Sequence, residues 1–180
     1  MTTFHAFLGC SLDGFIAGPD DEIDWLTAFD DVLGETGYDD FFGSVGAVVM
    51  GRRSYEVISA SGPGFYGTTP VHVLSRTLPP GPQAAMGNSA VTVHRDVPAL
   101  QATLTEAGAE RAYVDGGRTV QGFLFAGLLS DIVITRVPVL VGEGIPLFGP
   151  VPAPVRAELV ESRVLDAGAV QSVYRFPTDR

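Results

Sequence analysis

Two stretches of this chain share one design, in which an apolar β-type segment runs into glycine and then into a basic, hydroxyl-bearing helix start. They are residues 48–55 and residues 113–119. Glycine lets the backbone approach a ligand closely, and the free N–H groups at a helix N-terminus attract an anion. Two such corners require a fold in which strands lead directly into helices. They predict a ligand with several phosphates, such as a dinucleotide.

The basic residues are chemically uniform. The formal net charge is −10, and all eleven basic residues are arginines. This charge argues against nucleic acid or an anionic membrane as a partner, because both require a basic face. Without lysine, the chain lacks the Schiff-base nucleophile of pyridoxal phosphate enzymes and the lysine of the G-x-x-x-x-G-K-[ST] phosphate loop. The arginines therefore serve local roles.

Length and targeting signals predict one soluble domain. A chain of 180 residues fits a single domain, which we assign to residues 1–180. The N-terminus lacks the basic and apolar regions of a secretory signal, and Arg136 and Pro138 interrupt the apolar run at residues 132–141. Cys10 is the only cysteine, and the three histidines have no metal-ligand spacing. We expect a cytoplasmic protein without a metal site.

Strand-like and helix-like segments alternate along most of the chain. Two late strand-like segments, residues 156–165 and 170–176, surround Asp166-Ala167-Gly168, which predicts an antiparallel hairpin. Alternation followed by a hairpin predicts an α/β fold, with a mostly parallel mixed sheet covered by helices on both faces. The predicted strands are residues 4–11, 47–50, 71–75, 90–94, 112–115 and 132–141, the predicted helices are residues 24–33, 39–45, 52–59, 97–107 and 119–126, and residues 77–86 are predicted to form a surface loop.

Five short motifs follow one another along nearly the whole chain. They are Ser11-Leu12-Asp13-Gly14 with Ile23-Asp24-Trp25-Leu26 after it, Met50-Gly51-Arg52-Arg53-Ser54-Tyr55, Leu74-Ser75-Arg76, Val114-Asp115-Gly116-Gly117, and Gly142-Glu143-Gly144-Ile145-Pro146-Leu147-Phe148. Together they resemble the motifs of dihydrofolate reductases, and more closely those of the branch that contains the riboflavin-pathway pyrimidine reductase. The resemblance implies a three-layer dihydrofolate reductase-like fold. It also implies NADPH-dependent reduction of a C=N bond in a small pterin-type or pyrimidine-type heterocycle.

The same resemblance implies where NADPH lies. An arginine at a helix start opposes the helix dipole unless an anion offsets it, so Arg52 and Arg53 favour a phosphate contact over a role as solvated charges. The implied cofactor residues are Gly9 and Trp25 near the nicotinamide, Gly116, Gly117, Arg118, Thr119, Val120 and Gln121 at the corner that holds the pyrophosphate, and Gly51, Arg52, Arg53, Ser54, Ser75 and Arg76 along the adenosine half.

Residues expected near the substrate point to two branches of the family. Riboflavin-pathway reductases commonly carry a lysine on the first strand, four residues before the serine of the first motif, where this chain has Phe7. Dihydrofolate reductases carry a carboxylate five or six residues after a tryptophan, and Asp30 and Asp31 lie at those distances from Trp25. The substrate therefore stays open between these two branches and a heterocycle outside both.

Two carboxylates are candidates for the catalytic acid. Asp30, directly or through a water, or Asp115 is expected to fix the substrate's ring nitrogens, because a carboxylate suits N–H donors. Asp13, Asp31 and Thr135 are further candidates for substrate binding. Simpler roles are open too: Asp115 as a helix cap, and Asp30 and Asp31 as part of a solvated helix face.

Two expectations concern the protein as a whole. The pyrimidine reductase branch tends to pair its subunits, and the long C-terminal hairpin has β-rich faces, so we expect a homodimer with isologous contacts. The rival hypothesis is a non-catalytic NADP-binding module, a redox sensor or scaffold that has lost turnover. The phenylalanine in place of the lysine leaves that hypothesis open.

Overall fold

The structure is a computed structural model that describes residues 1–60, 65–151 and 153–177. Its helices are interspersed among the strands up to β8, and the last two long strands form a hairpin around a short 3-10 turn. In chain order the elements are β1 Thr3–Cys10, β2 Phe15–Ala17, α1 Asp24–Thr27, α2 Tyr38–Gly43, β3 Ala47–Gly51, α3 Arg52–Ala60, β4 Val71–Leu74, β5 Gly81–Met86, β6 Ser89–His94, α4 Val97–Glu106, β7 Arg111–Asp115, α5 Gly117–Phe125, β8 Leu129–Arg136, β9 Ile145–Pro146, β10 Glu158–Val164, the turn Asp166–Gly168 and β11 Val170–Arg175.

One large mixed sheet organises the described residues. Its strand order is β10-β11-β8-β1-β7-β3-β4-β6-β5. The six strands from β8 to β6 pair in parallel, whereas β10, β11 and β5 pair antiparallel to their neighbours. The predicted α/β fold with a mostly parallel sheet and a C-terminal antiparallel hairpin is confirmed.

Alternation along the strands gives the sheet two buried faces. On one face, Phe4 of β1 packs with Leu100 and Leu104 of α4 and Phe123 of α5. On the opposite face, β3, β4, β6 and β7 contribute a second cluster, against which α2 and α3 pack aromatic and aliphatic side chains. The sheet is therefore the middle of three layers, and the strand ends between the layers are available for a ligand.

The predicted surface loop at residues 77–86 was wrong in its second half. Residues Gly81–Met86 form β5, which pairs antiparallel with β6. Pro82 suggested a loop because proline cannot donate a ladder hydrogen bond, but β5 is an edge strand, where proline is tolerated. The apolar side chain of Met86 is buried and adds to the second cluster.

Two predicted elements are shorter than expected. The strand predicted at residues 132–141 begins at Leu129 and ends at Arg136, and residues 137–141 form a loop. The helix predicted at residues 24–33 is regular only over Asp24–Thr27, with turns following it. A small two-stranded sheet of β2 and β9 was also missed, since strands of three and two residues give no periodic signal.

No described helix has both the length and the apolar composition that crossing a lipid bilayer requires. Among the described residues there is also no cluster of three or more histidine, cysteine, aspartate or glutamate side chains placed to hold a metal ion.

Two of the three histidines are paired, which the sequence did not indicate. His72 on β4 and His94 on β6 are both 6% exposed, and His72 Nδ1 lies 2.9 Å from His94 Nε2. Neutral rings satisfy this contact with one donor and one acceptor. Burial, with a smaller effect of positive charge on His94, lowers the pKa of His72 to about 4 from the ordinary value of 6.5.

This pair predicts a pH-dependent loss of stability. Between pH 6.5 and about pH 4 the unfolded chain binds a proton at His72 that the folded chain does not. The free energy of unfolding should therefore fall, by up to about 3 kcal/mol, as pH decreases through this window. His72→Asn retains a hydrogen-bonding side chain but does not titrate, so its unfolding curves should lack this contribution. Urea titrations that give both proteins the same pH slope would contradict the assignment.

Candidate functional site

The central strands separate at their carboxyl ends. Strand β1 pairs with β8 as far as Cys10↔Arg136, but its pairing with β7 ends at His5↔Tyr113. Beyond that pair, β7 continues beside β3 up to Met50↔Asp115. A crevice therefore opens between β1 and β7 at the carboxyl edge of the sheet, which is where open α/β sheets bind ligands.

Beside this crevice, the two glycine corners of the sequence interlock. Strands β3 and β7 are neighbours, so helices α3 and α5 begin side by side. A Cβ atom on Gly51 would lie 3.0 Å from Thr119 Oγ1, and one on Gly116 would overlap Ser54 Oγ. Gly116 also has φ +85°, a conformation that side-chain-bearing residues rarely adopt. Glycine at both positions is thus required for the corners to meet.

A cleft of about 740 Å³ lies over these corners. Its walls come from the β3–α3 and β7–α5 corners, the end of β4 and the loop around β2. The residues that line it are Ile16, Ala17, Pro19, Asp21, Ile23, Gly51, Arg52, Arg53, Ser54, Val57, Ile58, Leu74, Ser75, Arg76, Thr77, Asp115, Gly116, Arg118, Thr119 and Ile145.

Four arginines in the cleft wall supply positive charge. Arg76 and Arg118 have no hydrogen-bond or ion-pair partner within the described part of the chain, and both are exposed. Arg53 Nε lies 2.5 Å from Asp21 Oδ2, and Arg52 contacts Glu56 at 3.6 Å. With the unsatisfied N–H groups at the start of α5, these side chains form a site for a polyanion.

The hydroxyl of Ser75 shapes the loop that presents Arg76. Ser75 is buried, and its Oγ accepts hydrogen bonds from the backbone N–H groups of Thr77 at 3.2 Å and Leu78 at 3.0 Å. Thr77 Oγ1 in turn accepts a hydrogen bond from the Arg52 guanidinium at 3.3 Å. The turn at the end of β4 therefore connects Arg76, which follows Ser75, with Arg52, which contacts Thr77.

Asp115, at the end of β7, is one of two carboxylates that line the cleft, with Asp21. Its Oδ1 accepts the Gly116 N–H at 2.8 Å, and its Oδ2 accepts the Tyr66 hydroxyl at 2.7 Å. Burial raises the pKa of Asp115, although the hydrogen bonds from Tyr66, Gly116 and Tyr113 lower it. A carboxyl group with a raised pKa beside a cleft is suited to donate a proton.

The two residues predicted near the nicotinamide lie outside the cleft lining. Gly9 sits in the middle of the sheet, where a Cβ would lie 2.8 Å from Leu26 Cδ1. Trp25 is half-buried, packs beside Leu33, and donates from Nε1 to the Glu22 carbonyl at 3.2 Å. Both residues help to seat α1 on β1, next to the crevice.

Three residues predicted along the pyrophosphate make contacts within the fold. A Cβ on Gly117 would approach Ile16 Cδ1 at 2.6 Å, so this glycine allows β2 to pack on α5. Val120 is fully buried, and its N–H donates to the Gly116 carbonyl. Gln121 Nε2 donates to the carbonyls at positions 146 and 147, which ties β9 to the helix.

The substrate candidates also lie outside the cleft lining. Both carboxylate oxygens of Asp13 accept hydrogen bonds, from the Ser11 hydroxyl and from the N–H groups at positions 141 and 142. The Ser11 hydrogen bond contributes most to lowering the pKa of Asp13. Asp13 thus joins two loops at the rim of the sheet.

Asp30, Asp31 and Thr135 lie on the α1 side of the molecule. Asp30 and Asp31 are exposed, and partial burial of its carboxyl raises the pKa of Asp30, with the charge of Asp31 adding to the rise. Thr135 is buried beside Gly9 in the sheet, and its Oγ1 accepts the side-chain N–H of Gln171 at 2.9 Å.

Sequence reasoning missed Asp21, which lines the cleft, and Tyr66, a buried partner of Asp115. Asp21 belongs to no motif and lies eight residues after the aspartate of the S-L-D-G motif. Its φ is +67°, and its carboxylate pairs with Arg53 across the cleft. Tyr66 lies 49 residues before Asp115, so no local spacing indicates their hydrogen bond. The predicted residues that do line the cleft come from the two glycine corners and the end of β4: Gly51, Arg52, Arg53, Ser54, Ser75, Arg76, Asp115, Gly116, Arg118 and Thr119.

Comparison with known proteins agrees with this architecture. Residues 3–171 match the family model described as the RibD C-terminal domain. The Bacillus subtilis protein YwjB, described as uncharacterized, is 31% identical over 144 residues, which cover 79% of this chain and 80% of YwjB. The B. subtilis protein YyaP, likewise described as uncharacterized, is 26% identical over 94% of this chain and 92% of YyaP.

Solved structures share the fold. A putative riboflavin biosynthesis protein from Shewanella sp. PV-4 superposes with a TM-score of 0.84 at 30% identity, covering 98% of this chain and 99% of that one. A Thermotoga maritima diaminohydroxyphosphoribosylaminopyrimidine deaminase/5-amino-6-(5-phosphoribosylamino)uracil reductase gives a TM-score of 0.71 at 13% identity. The match covers 98% of this chain but 57% of the Thermotoga protein, and at that identity it shows the fold alone.

Proposed function

Because the chain belongs to the RibD C-terminal domain family, we propose that it is an NADPH-dependent oxidoreductase that reduces a C=N bond in a small pterin-type or pyrimidine-type heterocycle. The observation that carries this proposal is the arginine-lined cleft over two interlocked strand–glycine–helix corners. Such a cleft suits an elongated ligand with separate phosphate groups.

The residues present fit NADPH. Arg118, Thr119 and the first N–H groups of α5 would hold the pyrophosphate, because they meet at one corner of the cleft. Arg76 and Arg52 would hold the 2′-phosphate at the end of β4, where the Ser75 turn links them. When bound, the nicotinamide supplies a hydride; the protein supplies binding, orientation and a proton.

We assign the proton to Asp115. It borders the cleft, burial raises its pKa, and it lies at the crevice between β1 and β7. Asp30 remains the second candidate, because the pKa of its carboxyl is also raised although it is exposed. Asp13 and Thr135 would serve the substrate through the loop and strand that they hold beside the crevice, and Asp31 stays a proposed substrate residue on the α1 side.

Phe7 bears on the choice of substrate. Its ring contacts Tyr38 edge-on at a centroid distance of 5.3 Å and Phe41 at 5.2 Å. An aromatic group at this position cannot pair with a substrate phosphate, whereas it can pack beside a flat ring. A riboflavin-pathway pyrimidine would therefore have to bind without the cation that its reductases commonly provide.

The direct test is a screen for acceptor-dependent oxidation of NADPH, followed by loss of the reduced nicotinamide absorbance. The acceptors should include dihydrofolate, the riboflavin-pathway ribosylaminopyrimidine, and panels of pterins and quinones. We expect a heterocycle with a C=N bond to be reduced. NADPH binding without oxidation by any acceptor would favour the rival function, a non-catalytic NADP-binding module. The phenylalanine at position 7, in place of the lysine, is the observation that supports this rival.

We further propose that the chain forms a homodimer through its C-terminal hairpin. Strand β10 is an edge strand, and Leu159, Val160 and Val164 on it are 54%, 47% and 77% exposed. Exposed apolar side chains on an unpaired edge favour association with a second chain. Light scattering at micromolar concentration should give twice the chain mass of 19.0 kDa, and Val164→Glu should reduce it. A monomeric mass for the unmodified chain would refute this proposal.

A further inference from the structure

An ion pair crosses the cleft from one wall to the other. Arg53 Nε, near the start of α3, lies 2.5 Å from Asp21 Oδ2 in the loop of residues 18–22, called the cleft loop below. Both residues line the cleft, and the side chains of Arg53 and Asp21 are 57% and 25% exposed. An ion pair this exposed adds little to the stability of a fold, so stability does not account for the contact.

Three consecutive residues at the start of α3 reach in different directions. Arg52 donates to Thr77 Oγ1 beyond the end of β4, and Ser54 meets the other glycine corner, where a Cβ on Gly116 would overlap its hydroxyl. These are the two places that we propose for phosphates. Arg53 contacts the opposite wall of the cleft instead.

The order of the strands places the Asp21–Arg53 contact between those two phosphate sites. Strand β3 lies between β7 and β4 in the sheet, and α3 follows directly from β3. A ligand that reaches from the start of α5 to the end of β4 must therefore cross the carboxyl end of β3. There the ion pair bridges from α3 to the cleft loop.

The cleft loop is closed by its own hydrogen bonds. The N–H of Gly18 donates to the Glu22 carbonyl at 2.8 Å, and the Glu22 carboxylate accepts the N–H of Asp20 at 2.9 Å. The N–H of Asp21 donates to the Gly18 carbonyl at 3.3 Å. All three bonds lie within the loop, so separating Asp21 from Arg53 breaks none of them and the loop can move as one piece.

The charge of Asp21 excludes a direct role in holding phosphate. A carboxylate and an ionised phosphate oxygen both only accept hydrogen bonds, and their charges repel. The contact with Arg53 offsets the charge of Asp21 and, equally, that of Arg53. Within the described part of the chain, Arg76 and Arg118 are the cleft arginines whose charge is not offset in this way.

We propose that Asp21 and Arg53 are positioning residues that clasp the cleft loop over a bound dinucleotide and so set its rate of release. This rests on the proposed function, because the ligand is NADPH. The clasp holds the two walls of the cleft together while Arg76 and Arg118 bind the phosphates. Release of NADPH requires the clasp to open, so the dissociation rate follows the fraction of molecules in which the ion pair is broken.

The test measures the dissociation rate of NADPH from the full chain by stopped-flow fluorescence of the reduced nicotinamide. Asp21→Asn and Arg53→Gln should each raise this rate about fivefold, which is the upper range for an exposed ion pair. The double variant should also give about fivefold, because either change alone already opens the same clasp. Circular dichroism of each variant checks that the fold is retained.

Asp20→Asn is the matched control. It removes the same charge from the same loop, but Asp20 is exposed and takes part in none of the ion pairs among the described residues. Its dissociation rate should stay within about twofold of the unmodified protein.

Two kinetic outcomes would overturn the clasp. An unchanged or slower dissociation rate in Asp21→Asn would mean that Asp21 does not retain the ligand, or competes with a phosphate for Arg53. A rise of about 25-fold in the double variant, the product of the single effects, would mean that the two residues act independently.

A second readout needs no nucleotide. Trp25 is the only tryptophan of the chain, and its Nε1 donates to the Glu22 carbonyl at 3.2 Å, so its emission reports on the cleft loop. Raising NaCl from about 0.05 M to about 0.5 M screens the ion pair and should shift this emission in the unmodified protein. Asp21→Asn should show the high-salt emission at both concentrations.

The fluorescence comparison separates the clasp from the proposed function. Equal salt responses of Trp25 in the unmodified protein and in Asp21→Asn would overturn the clasp even if NADPH binds. Absence of NADPH binding would refute the proposed function instead, and the fluorescence result would still decide whether the ion pair holds the loop.

Discussion

Asp115→Asn is expected to lower turnover by about two to four orders of magnitude while NADPH affinity is retained, because the amide keeps the shape of the side chain but cannot act as an acid. The wild-type rate should fall as pH rises through the raised pKa of Asp115, since only the protonated form donates. The variant should show no such limb. Stopped-flow measurement of NADPH oxidation across pH, with the acceptor found by the screen, checks both statements.

Asp30→Asn and Asp31→Asn are the matched controls. Both residues are exposed acids on the α1 side of the molecule, and neither lines the cleft. They should retain turnover within about tenfold of wild type if Asp115 is the acid. If Asp30→Asn loses turnover and Asp115→Asn does not, the proton comes from the α1 side and the assignment to Asp115 is wrong.

The double variant Arg52→Ala/Arg76→Ala is expected to weaken NADPH binding by about two to three orders of magnitude. Each charge-assisted hydrogen bond to the 2′-phosphate contributes about 1.5–3 kcal/mol, reduced where the side chain is exposed. NADH lacks that phosphate, so its affinity should change much less. Calorimetric titration of the variant with each nucleotide measures the two effects separately.

Arg95→Ala is the appropriate control for this variant. Arg95 donates to the Ser75 carbonyl at 3.3 Å, next to the proposed phosphate site, but it does not line the cleft. Its removal should leave the preference for NADPH intact. An equal loss of NADPH and NADH affinity in Arg52→Ala/Arg76→Ala would place these arginines at the pyrophosphate instead.

The order of the main strands and helices was predictable because each carries a local signal. The helix predicted at residues 97–107 is α4, which ends at Glu106, two residues before Gly108 with its φ of +69°. The hairpin around Asp166-Ala167-Gly168 was equally clear, and β10 and β11 flank that turn. In both cases a glycine conformation and an apolar pattern agree.

Edge position and strand separation could not be predicted, since both depend on tertiary pairing. Pro82 is compatible with β5 only because nothing pairs with its outer side in the described sheet. The β1–β7 ladder ends at His5, whereas β1 stays paired with β8 on its other side as far as Cys10, and the crevice opens where the two ladders differ. Neither strand's residues signal it.

The candidate site was predictable in its basic half. Arginine after glycine at a helix start is a local pattern, and the arginines of both corners line the cleft. The acidic half was not, because the Asp115 carboxyl is held by hydrogen bonds from Tyr66 and Tyr113, and these residues come together only in the folded chain. Motif positions also could not separate Gly116, which faces Ser54 in the cleft, from Gly117, which faces Ile16.

The most direct test of this account is calorimetric titration of the unmodified protein with NADPH and with NADH at equal ionic strength. The free arginines of the cleft predict that NADPH binds at least about tenfold more tightly, which corresponds to about 1.4 kcal/mol from the 2′-phosphate. Equal affinities for the two nucleotides, or no binding of either, would contradict the assignment of this cleft to NADPH.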